Sequence, residues 1–180
     1  MKIAKLTCLF LVVACACDHD TGRGTVLPDE TSQHPQVRLQ ILDFDGIQRL
    51  IASHRGKIVV MDAWSTSCPP CMKEFPNLVA LHEQYAGDRV ACISLCSDYD
   101  GLGTPDDVKD QVLYFLQKRK ATFDNVLSSL ESDALLDKLG IYNVPAVFIY
   151  DRSGELVKRF DTNSGEFTYD DVREYLADLL

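Results

Sequence analysis

The chain has only one Cys-x-x-Cys pair, Cys68 and Cys71, among seven cysteines. A structural zinc site needs four ligands and usually two such pairs, so this scarcity argues against one. Histidine is also rare. His19, His34 and His54 lie away from the motif, and His82 falls two helical turns beyond it, where it reads as a surface residue. Basic residues number 18 against 27 acidic ones, a net charge of -9. That balance disfavours nucleic acid as a partner and suits a soluble surface. Long apolar runs are missing too. The stretch Leu6 to Ala14 is too short to cross a bilayer as a helix.

What is present centres on Trp64-Ser-Thr-Ser-Cys68-Pro-Pro-Cys71. The apolar run Lys57 to Ala63 before it reads as a buried strand, and Met72 to Leu81 after it as a helix. The cysteines therefore sit where a strand feeds a helix. Free N–H groups and the positive end of the macrodipole there favour a thiolate. Cys68 is placed to attack, with Cys71 one turn on. Pro69 and Pro70 fit the first turn, where a missing N–H costs nothing. Pro76 lies inside the helix and is expected to kink it. A structural disulfide and a fortuitous pair remain the bland alternatives. The Pro-Pro insert and the strand-to-helix setting favour redox use.

The N-terminus reads as a leader. Met1 to Lys5 is a short basic segment, and the apolar stretch ends in Val12-Val13-Ala14-Cys15. That tetrapeptide resembles a bacterial lipobox, with Cys15 as the lipidated first residue of the mature protein. Cys17 is a weaker candidate, and an ordinary cleaved signal is the rival. Residues 1–17 are thus assigned to the leader and 18–36, polar and broken by Gly and Pro, to a flexible tether. Residues 37–180 are assigned to the folded domain. Either leader places that domain outside the cytoplasm, where disulfides persist.

Along the domain, Val37 to Leu42 alternates like a strand. Asp43 or Asp45 caps a short helix, and Gly56 is expected to close it. Arg89 to Cys96 is a further strand. Four strand residues span about 13 Å, too far for Cys92 and Cys96 to pair with each other. Cys92 reads as a small core hydrophobe. Cys96 reads as core or rim, with an accessory thiol as the alternative. Thr104-Pro-Asp-Asp opens a helix, Phe123 to Leu127 suggests a short strand, and Ser132 to Leu139 a helix closed by Gly140. A strand opened by Pro145, a turn at Asp151 to Gly154, and a returning strand Leu156 to Phe160 follow. Thr168 caps the last helix. The order argues α/β.

These residues together resemble the thioredoxin superfamily and, within it, the TlpA/ResA-like membrane-anchored thiol–disulfide oxidoreductases. The likeness runs from about Val37 to Leu180. It rests on Asp62-x-Trp64, Cys68-Pro-Pro-Cys71, Pro76 and Val144-Pro145. It implies a thioredoxin-like fold: a mixed central sheet flanked by helices, with an inserted helix-bearing segment, Thr104 to Leu130, before the cis-proline strand. By resemblance, Cys68 is the nucleophile and Cys71 the resolving cysteine. Pro145, Val144 and Trp64 are by resemblance the substrate-binding residues: the Val144–Pro145 loop faces the disulfide and meets substrate backbone, and Trp64 packs near the site. Asp62 matches a buried carboxylate behind the pair. It is the only charged residue in its apolar run. Burial should raise its pKa, which would let it accept the proton of Cys71. Its bland alternative is a strand residue reaching solvent or a cap. Ser67 departs from the aromatic that many members carry before the first cysteine, which bears on substrate preference.

The implied activity is thiol–disulfide exchange with protein dithiols and disulfides. It leans towards reduction of envelope proteins on the periplasmic side of a bacterial membrane, fed by a membrane electron donor. The redox-active disulfide is the only cofactor expected. Two other classes stay open: a thioredoxin-fold binding or assembly module, including copper handling, and a thiol peroxidase, for which no separate peroxidatic motif is visible.

Overall fold

A computed structural model describes residues 36–85, 87, 89–162 and 165–180. The leader, the tether, Cys15, Cys17, His19 and His34 lie outside the described residues.

Among the described residues eleven elements follow in order: β1 (Gln40–Leu42), α1 (Phe44–Ser53), β2 (Ile58–Trp64), α2 (Pro69–Tyr85), β3 (Val90–Cys96), α3 (Asp106–Arg119), β4 (Asp124–Ser128), α4 (Ser132–Leu139), β5 (Ala146–Tyr150), β6 (Leu156–Asp161) and α5 (Tyr169–Leu179). The six strands form one sheet in the order β1-β4-β3-β2-β5-β6. β1, β4, β3 and β2 run parallel, β5 pairs antiparallel to β2, and β6 antiparallel to β5. This is the mixed sheet flanked by helices that the resemblance implies.

β2 and β3 are buried along their whole length, which explains their unbroken apolar runs. Alternation then divides the core into two layers. Ile58, Val60 and Trp64 face α2, α3 and α5, where Phe75, Leu78, Leu116 and Leu176 pack. Val59, Met61 and Ala63 face α1 and α4, where Ile47, Ile51, Leu135 and Leu139 pack. Asp62 has the parity of the first layer, so its carboxylate points towards α2 and α5.

The segment expected as a helix-bearing insertion contributes α3 and also a strand. β4 lies between β3 and β1, pushing β1 to the sheet edge. β1 is shorter than its alternating pattern, three residues in place of the six in Val37 to Leu42. Before it, the carbonyl of Arg38 accepts a side-chain bond from Asn125 Nδ2 at 3.1 Å. β5 likewise starts at Ala146, because Pro145 has no N–H to give the sheet.

Helix ends follow local chemistry. Asp43 caps α1, accepting the Gly46 N–H at 2.7 Å. Its C-cap is His54, not Gly56. Gly56 sits in the following turn at φ +95°, donating its N–H to Arg152. Asp107 accepts the Thr104 N–H and hydroxyl before α3. α5 opens on a capping box between Thr168 and Asp171. Pro76 sits within α2, on its exposed side, and α2 continues through it from Pro69 to Tyr85.

Candidate active site

β2 delivers the chain at its carboxyl end into a tight loop. Ser65 and Ser67 join through their hydroxyls at 2.8 Å, and the Cys68 N–H donates to the Ser65 carbonyl. α2 then begins at Pro69, and the Met72 N–H closes its first bond on the Cys68 carbonyl at 3.0 Å. Pro69 and Pro70 occupy helix positions whose N–H groups would have no partner. Cys68 and Cys71 form a disulfide, S–S 2.03 Å and Cα–Cα 5.3 Å.

The two sulfurs differ in access. Cys71 is 3% exposed, while Cys68 is half-buried at the mouth of a groove. The Cys71 N–H donates to Cys68 Sγ at 3.2 Å. On reduction, that bond and the helix N-terminus favour a Cys68 thiolate. The Val144–Pro145 peptide bond is cis, and the Val144 carbonyl oxygen lies 3.7 Å from Cys68 Sγ. A disulfide sulfur carries no proton, so this is a close approach, not a donated bond.

The groove beside Cys68 encloses about 490 Å³, between the Ser65–Ser67 loop, the loop after β3, α3, and the Tyr142–Val144 loop. Asp98 pins its floor. It accepts the Thr66 N–H at 2.8 Å and the Thr66 hydroxyl at 2.6 Å, and Gln111 donates to the same hydroxyl oxygen at 2.7 Å. Sequence reasoning missed Asp98 and Gln111. The only available signal was general: Asp98 follows the carboxyl end of a parallel strand, where open α/β sheets carry their sites.

Behind the disulfide lies a cavity of about 30 Å³, large enough for one water, bordered by Asp62, Cys71, Glu74, Pro145 and Tyr169. Asp62 is 4% exposed. Its carboxylate accepts the Tyr169 hydroxyl at 2.5 Å. Burial pushes its pKa up to about 7, against the pull of the Tyr169 bond and with a further push from Glu74. The expected rise is therefore present. Burial, with the Asp62 charge, holds the Tyr169 hydroxyl far above its ordinary range, so Tyr169 remains the donor. Tyr169 was also missed. Nothing in its own neighbourhood marks it except the Thr168 cap before it.

Trp64 requires correction. It is fully buried, with ring centroids 4.9 Å from Phe75 and 4.8 Å from Phe115, so it packs the core beneath the site and does not line the groove beside Cys68. Its parity on β2 turns it towards α2 and α3. Cys92 and Cys96 are free and buried, their thiols pushed up chiefly by burial. His82 is partly buried, edge-on to Phe123 at 5.2 Å.

Comparison with known proteins matches the Redoxin family model to residues 29–179. A thiol–disulfide oxidoreductase ResA of Geobacillus thermodenitrificans is 28% identical over 137 residues, covering 76% of this chain and 71% of that protein. The sporulation thiol–disulfide oxidoreductase A of Bacillus subtilis is 25% identical over 122 residues, 68% of each chain. The solved structure of a thiol–disulfide isomerase from Corynebacterium glutamicum superposes with a TM-score of 0.60 at 20% identity, over 81% of this chain and 96% of that one. At that identity the likeness speaks for the fold alone.

Proposed function

The chain belongs to the redoxin family, as a TlpA/ResA-like thiol–disulfide oxidoreductase of the thioredoxin superfamily, and from that premise we propose that Cys68 and Cys71 exchange disulfides with extracytoplasmic proteins. One observation carries the assignment. The accessible sulfur of the pair, Cys68, stands at a helix N-terminus beside the cis Val144–Pro145 loop, with its partner sulfur buried behind it.

The exchange runs as follows. Cys68 thiolate attacks a sulfur of the partner disulfide, forming a mixed disulfide and releasing the partner's other sulfur as thiolate. Cys71 loses its thiol proton to Asp62 and attacks Cys68 Sγ. The Cys68–Cys71 bond forms, the mixed disulfide breaks, and the second partner sulfur leaves. Two electrons have passed from the dithiol to the partner. Pro145 and Val144 border the incoming chain. Pro69 and Pro70 shape the helix start.

The preferred direction is reduction of envelope proteins, with electrons from a membrane donor. Cys15 is the proposed lipid attachment point, residues 18–36 the tether, and the periplasmic side of a bacterial membrane the setting. No described helix is long and apolar enough to cross a membrane.

The test is trapping. Cys71→Ser should accumulate mixed disulfides through Cys68, and Cys68→Ser should not. The reverse pattern would exchange the two roles. A disulfide-reduction assay with peroxide and copper controls separates this reading from a peroxidase or a copper-assembly module. Mass spectrometry of the mature N-terminus tests the anchor at Cys15.

A further inference from the structure

Thiol exchange as described needs two sulfurs and a base, and it leaves Tyr169 without a role. Yet this side chain is 3% exposed and joins α5 to β2 across a sequence separation of 107 residues. It shares the water-sized cavity with Cys71 and Glu74. A tyrosine needed only for packing would be as well served by phenylalanine, which buries no hydroxyl.

We propose that Tyr169 is a positioning residue for the resolving step, its hydroxyl holding the Asp62 carboxylate towards Cys71 and keeping it able to accept the Cys71 proton. The proposal rests on the exchange mechanism above. Around Asp62, α2 presents Glu74 and Cys71, β3 presents Cys92, and α5 presents Tyr169, while Val147 of β5 brings no charge. Burial and Glu74 both favour the neutral acid. Tyr169 is the group facing it that favours the ion. A donated hydroxyl stabilises a carboxylate and not its protonated form. With that bond, Asp62 titrates near neutrality. Without it, the acid would stay protonated there and have no capacity for a second proton. The bond engages Oδ2, so Oδ1 remains for the transferred proton.

α5 sets the geometry. Thr168 caps it, with its N–H on the Asp171 carboxylate at 2.7 Å and its hydroxyl on the same oxygen at 2.8 Å. Tyr169 is the first residue of the helix, so the capping box fixes where its ring enters the core.

The test compares the full chain with Tyr169→Phe, which keeps the ring. Rapid mixing with a protein disulfide separates formation of the mixed disulfide from its resolution. The resolving rate should rise with pH in both proteins, with its midpoint about one pH unit higher in Tyr169→Phe. The ionised fraction at pH 7 would then drop from about one half to about one tenth, a loss of about fivefold in rate, recovered at higher pH. The carboxyl carbon of Asp62, titrated by NMR in the oxidised protein, should show the same displacement without any turnover. A lower melting temperature with both midpoints unmoved would reduce Tyr169 to a packing residue and overturn the proposal. If no mixed disulfide forms through Cys68, the exchange mechanism itself fails, and the NMR titration still decides whether Tyr169 controls Asp62.

Discussion

Asp62 is the single ionisable side chain on β2, and burial decides its behaviour. Its pKa rises from 3.8 to about 7 on folding. A raised folded value means the native state holds the proton more tightly than the unfolded chain. The stabilisation this gives is complete below the unfolded value and is lost as pH rises through the folded one. At pH 8 the native state therefore carries a penalty of about 4 kcal/mol from this group. Asp62→Asn should be more stable than the parent at pH 8, and the gap should close below about pH 4. Denaturant midpoints measured across that range check this. A variant less stable at pH 8 would show that the carboxylate is held by bonds stronger than its desolvation.

Asn125 plays the corresponding part at the scale of elements. It stands on β4, buried, and donates to the carbonyls of Arg38, Ala121 and Phe123, while Ser94 on β3 donates to its oxygen. It thus ties the inserted strand to its neighbours on both sides. Asn125→Ala should cost about 3 kcal/mol, because several buried groups lose their partner together. Urea unfolding should show a lower midpoint with an unchanged slope. Asp98 does for the active-site loop what Asn125 does for the insertion. Asp98→Ala leaves the Thr66 N–H and hydroxyl without their acceptor. It should slow exchange with protein disulfides severalfold and shift the melting temperature by only a few degrees. A loss of stability without a loss of rate would place Asp98 in the scaffold alone.

The whole molecule carries a net charge of -9, and among the described residues the groove beside Cys68 is bordered by Asp98 and Asp100 with no Lys, Arg or His. Field and groove share one sign. Encounter with a cationic disulfide substrate should be accelerated at low ionic strength and fall as salt shortens the Debye length. Oxidised glutathione, which is anionic, should show the opposite slope. Second-order rate constants between about 10 and 500 mM salt measure both. Equal slopes would mean that the field is not sensed at the sulfur.

Much of this protein was legible one residue after another. The Cys68–Cys71 pair, the helix that starts at it, and the caps at Asp43, Thr168 and Gly140 are all local. Each depends on residues within one turn or on an alternation of two, and such information survives in the linear order. The raised pKa of Asp62 was also foreseeable, since a lone acid in a central strand has nowhere to find water. What the tertiary structure decided is which distant groups meet. Tyr169 reaches Asp62, and Asp98 reaches Thr66, only because β2, β3 and α5 converge at one end of the sheet. Trp64 reads in the sequence as a neighbour of the site, yet strand parity turns it into the core. The strand Asp124–Ser128 could be suspected from its pattern, but its place between β3 and β1 could not. Hydrogen bonds and burial act over a few ångströms in space. The chain order records those distances only where the backbone itself keeps residues close.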